Sequence, residues 1–231
     1  MPIGYVIIGQ IYLKKKERNY KIDSIMAYFP MFIDLQEQKC LIVGGGVVAL
    51  RKVRVLLDFG AAVTVVAPKI DARIKAYAPK VTLAERPFQE EDLNGCVLVV
   101  AATDDKTVNH AIAQLAQEKH IRVNAVDQQE DCTFIFPSYI KKQDLVGAYS
   151  SAGNSPVITQ YLKAASEEFL TDALGEINAY MGSIRPLVKK CIADEPLRRQ
   201  VYVQVLNKLL SEGRTALLPE ELEEILTRQT T

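Results

Sequence analysis

The sequence predicts an α/β protein: a Rossmann-type parallel sheet, then a hairpin-plus-helix segment, then a small C-terminal helical domain. Three observations carry this reading. Between Lys39 and Val126, short apolar runs alternate with stretches of helical periodicity, the pattern of parallel strands joined by crossover helices. A glycine triplet, Gly44-Gly45-Gly46, stands at the first junction between such a run and such a helix. Beyond Cys132 the alternation stops, and two strand-like runs with a hairpin-length connection lead into helical sequence.

Taken in order, Cys40–Val43 is a wholly apolar run, as expected of a strand buried on both faces. Val48–Phe59 sets Val53, Leu56 and Leu57 on one helical face, leaves Arg51, Lys52, Arg54 and Asp58 largely elsewhere, and is closed by Gly60. Ala62–Val66 is β-branched and reads as a second buried strand, Val81–Leu83 as a weaker one and Val97–Ala102 as a strong one. A helix over Asp105–Glu118 and a strand over Ile121–Val126 complete the sheet. Cys132–Ile140 and Leu145–Ser150, joined by Lys141–Asp144, read as a hairpin. Phe134, Phe136, Tyr139 and Tyr149 make it too apolar to stand alone, so it is expected to pair with the main sheet or with a second subunit. Ser155-Pro156 is an N-cap followed by proline at the first helical position, and Pro196 and Pro219 repeat that signal with acids nearby.

Composition sets outer bounds. With 231 residues, 48% hydrophobic and 24% charged, the chain can bury a sizeable core, and intrinsic disorder is excluded. Twenty-eight basic and 28 acidic residues cancel, so no global field draws nucleic acid, and an anionic ligand must meet a local basic patch. Four cysteines and two histidines are scattered without a CxxC pair, which argues against a metal site and for the buried, reduced thiols of a cytoplasmic protein. No apolar run reaches the ~18 residues that span a bilayer. Met1–Leu13 carries its basic cluster (Lys14, Lys15, Lys16, Arg18) after its apolar part, the reverse of a secretory signal. Met26 or Met31 can each begin a complete domain, which leaves residues 1–25 as an extension without assigned role.

Gly44-Gly45-Gly46-Val47-Val48-Ala49 fits G-x-G-x-x-A. Gly44 permits the tight turn, Gly46 lets the backbone approach a pyrophosphate, and Ala49 allows close helix–strand packing. The amides of the helix start at Val47 and Val48 suit phosphates. A structural glycine turn is the alternative; the strand before the loop and the helix after it favour dinucleotide binding. The acid expected about 20 residues on is missing. Val66-Ala67-Pro68-Lys69 stands there instead, with Asp71 late, so Ala67 and Pro68 would hold the ribose through backbone groups, and NAD and NADP stay undistinguished. After the fourth strand, Thr103 and Asp104 belong either to the pocket wall or to a helix cap, or to both.

Six stretches occur in order: Gly44-Gly45-Gly46-x-Val48-Ala49-x-x-Lys52, Ala101-Ala102-Thr103-Asp104-Asp105, Val108-Asn109, Asn124-Ala125-Val126-Asp127, Phe134-x-x-Pro137-Ser138 and Ser150-Ser151-x-Gly153-x-Ser155-Pro156. From about Met31 to at least Leu170 the chain thereby resembles the precorrin-2 dehydrogenase family, the siroheme-synthase N-terminal type. The resemblance implies NAD-dependent oxidation of precorrin-2 to sirohydrochlorin, and a homodimer built by the hairpin and the helix after it. Some members of the family also insert Fe²⁺, and some carry a fused methyltransferase, which is not expected in a chain that stops at Thr231. The implied organisation is a nucleotide-binding domain over 26–137, a dimerisation segment over 138–173 and a helical domain over 174–231.

Asp127 matches the family's active-site aspartate and follows a strand at its carboxyl end, where it reads as a proton acceptor; position alone favours a turn residue, and the resemblance turns the balance to catalysis. A substrate with eight carboxylates needs local donors. Asn124 and the polar turn of Ser150, Ser151, Gly153 and Asn154 before a helix are candidates, with Arg185, Lys189, Lys190, Arg198 and Arg199 behind them. A nucleotide-sensing regulatory domain and a chelatase without dehydrogenase activity are the competing readings. No resident metal is expected.

Overall fold

Strands whose consecutive residues are all apolar are stable only with both faces covered, and the fold meets that demand. The computed structural model describes residues 28–230, so the extension expected over 1–25 lies outside the described residues. Strands β1 (Lys39–Val43), β2 (Ala62–Val66), β3 (Val81–Ala84), β4 (Leu98–Ala101) and β5 (Arg122–Ala125) form a parallel sheet in the order β3-β2-β1-β4-β5. On one face Cys40 and Ile42 of β1 pack with Ala49, Val53 and Leu56 of α1 (Val47–Asp58). On the other, Leu41 and Val43 pack with Ile112, Ala113 and Ala116 of α3 (Lys106–Glu118). The apolar run read from the sequence is therefore two half-runs feeding two cores. A single turn of helix, α2 (Ala72–Lys75), which the sequence reading did not resolve, crosses from β2 towards β3. Strand order reverses between β1 and β4, and a crevice opens there at the carboxyl edge.

Downstream, the expected strand over Cys132–Ile140 is mostly not a strand. Only Ser138–Lys142 (β6) pairs with Leu145–Tyr149 (β7), as a separate antiparallel ribbon that does not join the main sheet. Cys132–Pro137 instead runs back along β5: the Thr133 amide donates to the Val123 carbonyl at 2.8 Å, and the Val123 amide donates to Thr133 Oγ1 at 2.8 Å. Phe134 and Phe136, with ring centroids 5.1 Å apart, pack against the α1-side core. These two rings, expected on an intersubunit hairpin, are thus filling their own domain.

The ribbon rests on helices α4 (Pro156–Glu167) and α5 (Asp172–Cys191). Tyr149 Oη meets Ser166 Oγ of α4, and Lys142 pairs with Asp172 at 2.9 Å. Helix α5 approaches so closely that a Cβ on Gly175 would lie 2.7 Å from the Lys142 carbonyl oxygen. Tyr139 ties the ribbon to the end of α1, donating to Asp58 Oδ2 at 2.9 Å with its ring 5.1 Å from that of Phe59. Burial, then the Asp58 carboxylate, pushes the Tyr139 phenol up to about 12. Helices α5, α6 (Glu195–Glu212) and α7 (Pro219–Thr230) build a third core around Ile184, Val188, Val205, Leu209 and Leu226. The proline signals hold: Ser155 accepts from the Ile158 amide ahead of Pro156, Asp194 caps α6 with Pro196 in its first turn, and α7 begins at Pro219.

Candidate active site

The three glycines do three different jobs. Gly44 has φ +127°, and a Cβ there would sit 2.2 Å from the Ala102 carbonyl oxygen, so the loop is pressed against the end of β4. A Cβ on Gly45 would lie 2.1 Å from the Lys69 carbonyl oxygen, so the same loop is pressed against the chain after β2. Gly46, the N-cap of α1, faces open space, with nothing within 4 Å of its Cβ position and no side-chain cap on the helix. The uncapped amides of the first turn, at Val47 and Val48, are therefore available to a ligand.

In front of Gly46 lies a cavity of about 660 Å³. Gly44, Gly45, Gly46, Ala67, Pro68, Thr103 and Asp104 line it together with Lys69, Asp71 and Val108. The structure thus gathers the predicted cofactor residues in one place, apart from Val47 and Val48, which begin α1 and do not line the cavity. Asp71 cannot replace the missing ribose acid freely. Its carboxylate caps α2 and grips Arg73 through two bonds of 3.0 and 2.7 Å, which hold it at about 2. An open cradle, a free helix start and mostly apolar walls fit a dinucleotide.

The loop after β4 decides between cap and wall: Thr103 and Asp104 line the cavity, and the helix cap is neither of them but the next residue. Asp105 caps α3, accepting from the Thr107 and Val108 amides. Thr103 is held by Asn109, a buried side chain on α3 to which the sequence reading assigned no role. A polar residue at helical spacing from Ile112, Ala113 and Ala116 was the signal for it.

Asp127 lies at the carboxyl end of β5, exposed, with φ +57°. Its turn is braced from behind: buried Asp131 accepts from Gln128 Nε2 at 2.9 Å, lies 2.7 Å from His110 Nδ1, and its carbonyl accepts from Gln117 Nε2 at 3.1 Å. Beside it, a Cβ on Gly153 would come within 3.0 Å of Gln129 Oε1, so the Ser150–Asn154 turn is neighbour to the Asp127 turn. Ser150 and Ser151 each accept a backbone amide of that turn, at 3.0 Å, and keep a hydroxyl proton to donate. Asn154 Nδ2 is already bonded to the Ser151 carbonyl at 2.9 Å, and Asn124 Nδ2 to the Phe134 carbonyl at 3.1 Å. None of Asp127, Asn124, Ser150, Ser151, Gly153 and Asn154 lines the nucleotide cavity; they form a second group along the same edge.

Lys52, expected off the apolar face, is half-covered: its ammonium sits 3.6 Å from the centroid of the Phe136 ring. Burial, then Arg51, pushes it down to about 8. Among the helical-domain cations, Arg198 is engaged with the Ile192 and Ala193 carbonyls at the end of α5, whereas Arg185, Lys189, Lys190 and Arg199 are exposed. The thiols are free but not uniformly buried: Cys40 and Cys96 are, Cys132 is partly so and Cys191 is exposed. Among the described residues no three His, Cys, Asp or Glu side chains gather as a metal site, and no helix is long and apolar enough to cross a membrane.

Fold and cavity together are those of the doubly wound α/β class, with a cradle that fits a dinucleotide. Residues 31–138 match a family model described as "Putative NAD(P)-binding". The chain is 38% identical to the siroheme synthase of Pseudomonas entomophila (strain L48), over 87% of this chain and 44% of that protein. It is 41% identical to the siroheme synthase of Salmonella schwarzengrund (strain CVM19633), over 77% and 39% respectively. Its fold matches that of SirC, a precorrin-2 dehydrogenase, with TM-score 0.64 and 22% identity, covering 88% of this chain and 99% of that one. The chain is therefore a homologue of the siroheme synthases over most of its length, with an NAD(P)-binding domain at 31–138, and it spans less than half the length of those relatives.

Proposed function

We propose that the protein is an NAD-dependent precorrin-2 dehydrogenase acting in the cytoplasm on the route to siroheme. The observation that carries this is the open Gly46 cradle on the same sheet edge as Asp127, in a chain homologous to siroheme synthases. Bound NAD would accept the hydride of the dehydrogenation. The Gly44–Gly46 loop and the α1 amides hold its pyrophosphate, Ala67 and Pro68 its adenosine ribose, and Thr103 and Asp104 the wall beside it. Asp127 Oδ takes the proton released with the hydride. Ser150, Ser151, Gly153 and Asn154 bind substrate carboxylates, the two serines through their remaining hydroxyl protons. Asn124, whose Nδ2 is spent on the Phe134 carbonyl and Cys132 Sγ, supports that edge without a donor of its own. The units are the nucleotide domain over 26–137, the segment over 138–173 and the helical domain over 174–231.

We further propose a homodimer through α4. Its outer face exposes Val157 (69%), Ile158 (54%) and Tyr161 (68%), with Phe169 (61%) beyond its end, an apolar stripe too large to leave to water. This replaces Phe134 and Phe136 as the expected contact. Sedimentation of the parent as a dimer and of Tyr161→Asp as a monomer is the expected result.

The deciding experiment incubates the protein with precorrin-2 and NAD and follows NADH absorbance, then repeats the incubation with Fe²⁺. NADH formation supports the dehydrogenase. Metal insertion without any NADH formation would assign the chain to chelation alone, and nucleotide binding without turnover to sensing.

A further inference from the structure

The Thr103 end of the loop that walls the nucleotide cavity is held by one side chain of α3. Asn109 is 2% exposed, and every polar contact of its amide is with Thr103. Its Oδ1 accepts from the Thr103 amide at 3.0 Å and from Thr103 Oγ1 at 2.7 Å, while its Nδ2 donates to the Thr103 carbonyl at 3.1 Å. The peptide between Ala102 and Thr103 is the one against which Gly44 is packed: a Cβ on Gly44 would meet Ala102 O at 2.2 Å and Thr103 N at 3.1 Å. Two residues on, Asp105 is fastened to the first turn of α3 through the Thr107 amide at 2.8 Å. Both ends of the short loop are thus anchored on one helix, and Asp104 is left exposed between the anchors at the cavity wall.

We infer that Asn109 is a positioning residue of the cofactor site: it fixes the wall of the cavity before the dinucleotide arrives, so that binding does not have to order it. The inference rests on the cofactor reading above and extends it to a residue that touches no ligand. The demand on this position is specific. One atom must accept two hydrogen bonds while its neighbour donates a third, which asparagine does and neither leucine nor an ionised aspartate can.

NADH binding followed by fluorescence tests this, with melting by circular dichroism alongside. Asn109→Asp keeps the shape and the acceptor but sets a carboxylate oxygen against the Thr103 carbonyl. At pH 8 its NADH affinity should fall by about tenfold or more. Burial and the facing carbonyl raise the new carboxyl, and once protonated it donates to Thr103 as the amide did, so affinity should return towards the parent value as pH falls to about 5.5. Asn109→Leu should lose affinity without that recovery. In turnover the loss should appear in KM for NAD, with kcat at saturation retained; a merely architectural role would lower the melting temperature without this split. If Asn109→Asp does not fold, Thr103→Val removes the hydroxyl leg to Asn109 together with the hydroxyl's contacts to the Asp105 backbone at 3.0 and 3.2 Å, and should cost a few-fold in affinity. A folded Asn109→Asp that binds NADH like the parent at pH 8, weak binding that ignores pH, or an unchanged Thr103→Val overturns the inference while leaving the cofactor reading intact. Failure of the parent itself to bind NADH overturns both.

Discussion

The two halves of the candidate site are made differently. The nucleotide side consists of three strand-to-helix or strand-to-loop junctions at the ends of β1, β2 and β4, each a few residues long and each locked to the next by backbone contact. The Asp127 side joins turns more than 20 residues apart through the side chain of Gln129 against Gly153 and the Ala152 carbonyl. The first is a rigid cradle completed within one domain. The second is an exposed edge, assembled from the turn after β5 and the turn before α4, a helix that exposes Val157, Ile158 and Tyr161. Cofactor binding should therefore tolerate changes on the Asp127 side, and chemistry should not tolerate them.

Asp127→Asn is the largest test of that separation. The amide keeps the shape but cannot accept a proton, so kcat should fall about 10²–10⁴-fold while the NAD dissociation constant changes little. A rise in KM for the tetrapyrrole with kcat intact would make Asp127 a substrate anchor. Both parameters unchanged would return it to a plain turn residue at left-handed φ. The mirror experiment is Gly46→Val, which fills the open space before α1. Affinity for NAD measured by calorimetry should fall on the order of a hundredfold, because the side chain occupies the anion's place at the helix start. Unchanged affinity would remove the cradle from the argument.

What was legible follows the same division. The alternation of β1, α1, β2, β4, α3 and β5 could be read because each element shows its own period, and α3 also its cap. The glycine loop could be read because strand, turn and helix are contiguous. Asn109 escaped because its partner, Thr103, lies six residues away across a loop whose course the periodicity does not give. Cys132–Pro137 was misread because its β-like composition serves packing against α1 rather than ladder pairing, and composition does not distinguish the two. The resemblance named Asp127; the Asp131–His110 brace behind it is a tertiary contact spanning 21 residues and left no local trace.

The corrected place of the Phe134–Phe136 pair yields a sharper test than a dimer assay. Phe136→Ala should lower stability by about 2–3 kcal/mol, less than a full core truncation because the ring is only partly buried. Its unfolding midpoint should shift equally at all protein concentrations. A shift that grows on dilution would return the ring to an interface.

The smallest expected effect lies where the two halves meet, at Lys52, which reaches from the helix of the glycine loop to the ring of Phe136. The ammonium is held in a place that disfavours its charge, near 8 against an ordinary value of 10.5. Below pH 8 both folded and unfolded chains carry the proton and the whole penalty is present. Between about 8 and 10.5 the unfolded chain binds more protons than the folded one, so stability contributed by this group rises with pH, and above that window the penalty is gone. Lys52→Met fills the same space without charge. Discounted for solvent screening and for the lost ring contact, it should stabilise the protein by about 1 kcal/mol at pH 7. The gain should shrink through the window and vanish near pH 11. Chemical denaturation of both proteins at pH 7, 9 and 11 reads this directly. A gain constant across the three pH values would mean that Lys52 carries no depressed ammonium, and a loss at pH 7 would mean that the ring contact outweighs the burial.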